Sequence, residues 1–233
     1  MNSTQPSAAQ DHRQVLVWDL PTRIFHWLFA LAVLGALTCA AIGGQAMAWH
    51  MRFGYTALAL VSFRLVWGFV GPRYARFANF PPQPTRALRY LRDGAREPFV
   101  GHNPAGALSV YAILACIALQ AATGLFASDD LLWSGPLSKL VPNSVVAFIT
   151  EVHHLNGSLI WLLVITHLGA IAFHTLSRRE PLVKAMIKGG RAFKFSATST
   201  PPIDAGDGRG VRVLALALLA CCSLATWYLV SLG

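Results

Sequence analysis

One apolar stretch constrains this chain more than any other: Glu151 to Leu176, which reads EVHHLNGSLIWLLVITHLGAIAFHTL. It is long enough to cross a bilayer, which takes roughly 20 apolar residues. Yet it carries His153, His154, His167 and His174. Ionisable side chains inside a span are costly and mark function. At about 100° and 1.5 Å per residue, the step from His153 to His167 turns roughly 1400°, about 40° short of four turns. The two imidazoles therefore share one helix face, on the order of 21 Å apart along the axis. His154 falls about 140° off that face. His174 returns to it, nearer the membrane edge.

The rest of the chain fits a membrane setting. Of 233 residues, 55% are hydrophobic and only 12% are charged. A soluble domain carries about twice that charge. The net charge of +9 does not indicate nucleic acid, because the basic residues are gathered into particular loops, as topology requires. Cys39, Cys116, Cys221 and Cys222 all fall inside apolar runs, and none belongs to a C-x-x-C-H haem-attachment motif or a zinc-ligand cluster. They read as small buried hydrophobes. Residues 1–14 are polar and no cleavage site follows the first apolar run, so that run is expected to remain as a span.

Five spans are predicted, in a single transmembrane domain. The first runs from about Ile24 to Ile42, entered through WDLPTR, where Asp19 can cap a helix and Pro21 suits its first turn. His26 sits just inside it. The second runs from about Met51 to Val70, with His50 at its start and Arg64 within it, and ends at Gly71-Pro72. The third runs from about Ala105 to Phe126, after Gly101-His102-Asn103-Pro104. The histidine helix is the fourth. The fifth, about Val213 to Leu232, has neither charge nor histidine. Residues 181–210 read as a cytoplasmic linker, flexible from Phe195 to Gly210 with its Ser, Thr, Pro and Gly, before the fifth helix at 211–233.

Charge orients the bundle. The N-terminal tail holds Arg13 and Arg23, Gly71 to Gly101 holds six arginines, and Thr175 to Arg212 holds eight Lys/Arg, sixteen of the 19 basic residues. The opposite connections hold only Lys139, against Asp129, Asp130 and Glu151. The positive-inside rule then puts the N-terminus in the cytoplasm and the C-terminus outside.

With that topology, His50 pairs by depth with His153 and His26 with His167. Helix bundles readily build such ligand pairs in their cores, and each pair can clamp one planar haem. Two neutral imidazoles fill both axial positions of an iron, which favours electron transfer. The absence of C-x-x-C-H makes the groups two non-covalent haem b. One mismatch stands: His26 is shallow in its run and His167 deep, so helix tilt must absorb the difference or His174 replaces His167. A single buried histidine is more often a packing residue, and His102, His154 and His174 are read that way. Arg64, on the His50 face, needs an anionic partner, which a haem propionate would supply; the alternative is snorkelling to the interface. Arg52, beside His50, is placed the same way for the outer haem. The tryptophans near the span ends read as interfacial anchors in the lipid.

Several motifs together, VWDLPTRIFHW, HMRFGYTALALVSFRLVWGFVGP, GHNPAGALSV, QAATGLF and EVHHLNG followed by THLGAIAFH, resemble the bacterial cytochrome b561 and nickel-hydrogenase b-type cytochrome family over about residues 15–180. The resemblance implies an all-α four-helix bundle binding two b haems through His26, His50, His153 and His167. The fifth span goes beyond that core. It also implies electron exchange between the quinone pool and a partner, such as a hydrogenase, a dehydrogenase or a c-type cytochrome.

The leading expectation is thus a di-haem b-type electron-transfer subunit. A second class is a stand-alone oxidoreductase passing electrons from a small diffusible reductant to quinone. A third is a haem-free transporter whose histidines relay protons or bind a metal ion.

Overall fold

The structure is a computed structural model and describes residues 11–93, 99–129, 132–195 and 203–233. Arg96 and Asp130, which count toward the loop charges, lie outside the described residues, as do residues 1–10 of the polar tail and 196–202 of the predicted linker.

Five of the described helices are long and apolar enough to cross a membrane. They are α1 (Leu20–Ile42), α2 (Met47–Val70), α4 (Pro104–Gly124), α5 (Asn143–Leu176) and α7 (Arg209–Val230), with the shorter α3 (Pro84–Asp93) and α6 (Leu182–Lys188) between them. The all-α membrane bundle is as expected, and to it is added a two-stranded antiparallel sheet, β1 (Asp11–Leu16) with β2 (Gly190–Phe195).

The starts of α1 and α4 follow local chemistry. Asp19 accepts from the Thr22 backbone N–H at 2.9 Å and from its hydroxyl at 2.8 Å, with Pro21 in the first turn of α1. Asn103 accepts from the Gly106 N–H at 2.7 Å, and Pro104 opens α4. Both prolines sit where a helix has no use for an N–H. α2 closes at Gly71, whose N–H reaches the Trp67 carbonyl at 2.9 Å. The turn from α1 into α2 uses Gly43 (φ 69°) and Gly44 (φ 55°). Side chains with a Cβ rarely adopt that left-handed backbone.

The bundle is stacked in sequence: α1 packs on α2, α2 on α4, and α4 on α5, with α7 lying against α2 and α3 against α4. Its core joins Phe25, Phe29 and Val33 of α1, Leu60, Phe63 and Trp67 of α2, Leu114 and Ile117 of α4, and Ile160 of α5. Phe63 and Trp67 stack with centroids 5.5 Å apart, Phe25 and Phe29 at 4.9 Å. Offset aromatic pairs of this kind add to simple burial. A second cluster, Val15, Val17, Trp18, Ala185 and Phe193, sits under the sheet at the end where α1 begins and α5 finishes. This end carries the Arg-rich connections and is called the basic end below; the other is the far end.

Asp19 ties the two clusters together. It is fully buried, caps α1, and accepts from the Trp67 indole N–H at 3.3 Å. It also lies within electrostatic reach of the buried Arg64. Asp19→Ala removes the cap, orphans a buried indole donor and leaves Arg64 without its nearest negative charge. It should destabilise the fold by roughly 2–4 kcal/mol, read as a lower unfolding temperature in detergent. An unchanged unfolding temperature would refute this role.

The stretch 181–210, read from sequence as a linker, carries α6 and β2. Beyond β2, Asp204 accepts from the Leu16 N–H at 2.8 Å, Ala205 N–H reaches the Leu16 carbonyl at 2.8 Å, and Tyr74 donates to the Ile203 carbonyl at 2.9 Å. These bonds anchor the chain on β1 and on the loop after α2, just before α7.

Candidate functional site

α5 is longer than the sequence boundary implied. It begins at Asn143, eight residues before Glu151, because Pro142 starts it and Val145, Val146, Phe148 and Ile149 continue its apolar character. Its 34 residues span on the order of 51 Å, against about 30 Å of hydrocarbon. His153 and His167 lie ten residues from its start and nine from its end, so both fall at membrane depth. α1 likewise begins at Leu20, which sets His26 six residues in. The depth mismatch between His26 and His167 shrinks to roughly 4–5 Å at 1.5 Å per residue.

At the far end, His50 of α2 and His153 of α5 face one another, with ring centroids 6.1 Å apart and planes crossed at 84°. Two imidazoles sharing one metal through bonds of about 2.0–2.1 Å have centroids roughly 6–6.5 Å apart. The centroid spacing of the pair is compatible with two imidazoles sharing one iron. His50 Nδ1 lies 2.9 Å from the Ala36 carbonyl, and His153 Nδ1 lies 3.0 Å from the Thr123 hydroxyl. Gly124 is pressed against the same ring: a Cβ there would come within 3.1 Å of His153 Cε1.

At the basic end, His26 of α1 and His167 of α5 are close enough to interact electrostatically. His26 Nδ1 is buried without a hydrogen-bond partner. Such an atom needs something to bond, and an iron or its bound group fits that demand. Among the described residues no three His, Cys, Asp or Glu side chains gather as a metal site. The histidines meet in twos, which suits a planar macrocycle between them better than a tetrahedral ion.

The other candidates are placed as follows. His154 is exposed, its ring 6.2 Å from that of His153 and crossed at 84°. His174 lies 3.4 Å from Glu180 Oε1, while Arg191 holds Glu180 Oε2 at 3.3 Å and Tyr90 stacks over the imidazole at 6.4 Å. His102 sits between Trp18 and Phe80, with ring centroids 4.7 and 4.3 Å away and its Nδ1 enclosed without a partner. Burial, reinforced by the nearby Arg64 cation, pushes His102 down to about 3, so it is neutral at any physiological pH.

Arg64 does not snorkel. It is 4% exposed, donates from Nη2 to the Ala75 carbonyl at 3.1 Å, and lies 4.8 Å from the centre of the Phe77 ring. Its Nη1 is buried and unpartnered. Arg52 is exposed and stacks 4.7 Å over Trp49, an arrangement typical of the interface. Sequence reasoning passed over Thr123 and Asp19 as partners of other side chains. Asp19 was legible as a cap but not as a partner of Trp67; Thr123 is one polar residue in an apolar run, and only the packing of α4 on α5 gives it a neighbour.

Residues 17–189 match the family described as prokaryotic cytochrome b561. The chain belongs to that family. Its b-type cytochromes are multi-pass membrane proteins of electron transfer, and haem b is the cofactor the family implies. Similar proteins include a probable Ni/Fe-hydrogenase B-type cytochrome subunit from Rhizobium leguminosarum bv. viciae, 27% identical, with 80% of this chain and 92% of that protein aligned. Proteins of the same description from Rhodobacter capsulatus and Azotobacter chroococcum mcd 1 are 24% and 26% identical, each covering 77% of this chain. No solved structure is a significant match. In this b561 protein the two histidine pairs stand at opposite ends of the bundle, each joining α5 to another helix.

Proposed function

We propose that this cytochrome holds two haem b groups, one between His50 and His153 and one between His26 and His167, and carries electrons between the two faces of the membrane. The observation that carries the reading is the pairing on α5: two histidines a 14-residue step apart on one helix face, each with a histidine of another helix as its neighbour. Bound haem b supplies reversible one-electron chemistry. The protein contributes imidazole ligands, an apolar wall of Phe and Leu side chains, and a fixed spacing of roughly 21 Å along α5. That spacing covers most of the ~30 Å hydrocarbon thickness.

Arg64 supports the same reading. Its unpartnered Nη1 is a buried cationic donor that a haem propionate would satisfy. Arg52 is turned onto Trp49 and gives no such support at the far end.

The exchange partners are assigned by end. The basic end lies in the cytoplasm, by the charge asymmetry of the loops. Quinone is reached there, beside Arg64 and the neutral His102. The far end presents exposed Asp129 and Glu151 with Lys139 nearby, on a connection closed by the Ser128–Ser134 bridge and by Ser128 N–H donating to the Thr150 hydroxyl at 3.1 Å. The connection itself, with Asp129, Asp130 and Glu151 against Lys139, suits a redox protein with a basic patch, and the exposed Arg52 of α2 lies at the same end. The hydrogenase-subunit descriptions of the relatives favour a nickel–iron hydrogenase over a c-type cytochrome.

A pyridine haemochrome assay on the purified protein should find two haem b per chain, both extracted by acidic acetone. A redox titration should resolve two components. Absence of haem would refute the proposal and revive the transporter class; haem that stays covalently attached would refute the assignment of non-covalent haem b.

A further inference from the structure

The hydrogen bonds around the far-end pair have only one consistent direction. The Ala36 carbonyl can only accept, so the His50 Nδ1 at 2.9 Å from it carries the proton. The Thr123 hydroxyl has a single proton and three neighbours: the Leu119 carbonyl at 2.8 Å, the Gln120 carbonyl at 3.1 Å and His153 Nδ1 at 3.0 Å. Both carbonyls can only accept, so the hydroxyl proton goes back along the helix to them. This is the usual back-bond of a threonine inside a helix. What faces His153 is therefore an oxygen lone pair, with the Gln120 backbone carbonyl a second acceptor close to the same imidazole, and His153 Nδ1 must be the donor. Reversing that bond would set the hydroxyl oxygen against a carbonyl oxygen at 2.8 Å with no proton between them. Both rings thus carry the proton on Nδ1 and the free electron pair on Nε2.

We propose that Thr123 is a positioning residue for His153, fixing the tautomer that presents Nε2 to the iron and, by accepting the Nδ1 proton, making that imidazole a stronger donor. This deepens the proposed function and rests on His153 being an axial ligand. The hydrogen bond to the second nitrogen of a ligating histidine orients the ring and raises its basicity. A more basic ligand stabilises ferric over ferrous iron, so Thr123 holds the far-end haem at a lower potential than a free imidazole would. Thr123 is well placed to act this way. It is 9% exposed, it lies one residue before the end of α4, and the following Gly124 leaves room for the His153 ring.

The test is a redox titration, read in the visible spectrum, of the unaltered protein and of Thr123→Val, Thr123→Ser and His153→Ala. Valine keeps the shape of threonine and removes the acceptor; serine keeps the acceptor. Thr123→Val should raise the midpoint potential of the far-end component and leave the basic-end component and the haem content unchanged. Thr123→Ser should titrate like the unaltered protein. A Thr123→Val variant with the original potential would overturn the proposal, as would loss of the component in both Thr123 variants, which would assign Thr123 to packing alone. His153→Ala separates this inference from the reading beneath it. If that variant keeps both components unchanged, His153 is not a ligand and the proposed ligand set fails first.

Discussion

His50→Ala and His153→Ala should each remove or alter the same haem signal and leave the other intact. The two rings are 6.1 Å apart, centroid to centroid, and come from different helices, α2 and α5. Either substitution leaves one imidazole where two are needed, so the haem is lost or its low-spin spectrum changes; in a chain with two haems, total content falls by as much as half. The fold should survive. His50 and His153 are partly buried, and the apolar packing of the bundle lies elsewhere, on residues such as Phe63, Trp67 and Ile160. The control is His154→Ala. His154 is exposed and its ring is turned from that of His153, so that variant should keep both signals. If the His50 and His153 variants affect different components, the pairing by depth is wrong even though both residues are ligands.

The spans were legible because hydropathy and charge segregation act over whole helices. Four of the five apolar runs became helices within about four residues of their expected limits, and Asp19, Gly71 and Asn103-Pro104 ended or began helices as their chemistry requires. α5 departs most. Its start was tied to Glu151, but Glu151 is exposed and can be carried on a helix that projects beyond the bilayer. The sheet was not legible. β1 and β2 are six residues each and pair Asp11 with Phe195 and Leu16 with Gly190. No local pattern in a polar tail announces a partner so distant in the chain.

Side-chain direction was the least legible quantity. Helical periodicity placed Arg64 on the His50 face, yet it could not foresee that the loop after α2 folds back. That loop brings the Ala75 carbonyl and the Phe77 ring onto the guanidinium. Gly68 makes the fold-back possible, since the Phe77 ring occupies the space a Cβ there would need. Thr123 shows the same limit. Its role exists only between helices, where α4 meets α5, and residue type alone does not reveal which nitrogen of a histidine it faces.

The second large effect is expected at the basic end, where His167 and His174 compete for the same assignment. They are seven residues apart, close to two turns, so the helical pattern alone cannot choose between them. The surroundings of His174 favour His167 as the ligand. Its Nδ1 faces Glu180 at 3.4 Å, the far oxygen of that carboxylate is held by Arg191 at 3.3 Å, and Tyr90 lies parallel to the ring at an interplanar angle of 2°. Arg191 also donates to the Phe99 carbonyl at 3.3 Å, so the network fastens the end of α5 to β2 and to the segment before α4. A histidine held in that way has a structural task. His167 is the α5 histidine within electrostatic reach of His26, whose Nδ1 is buried and unbonded. His167→Ala and His26→Ala should therefore abolish or alter one common haem component, the one that His50→Ala spares. His174→Ala should retain both haems and show a modestly lower unfolding temperature, because the His174–Glu180 contact it removes is worth about 1 kcal/mol or less while the Glu180–Arg191 pair remains. If His174→Ala loses the basic-end haem while His167→Ala keeps it, the ligand register on α5 is displaced by two turns, and the haem lies among Tyr90, Glu180 and Arg191 instead.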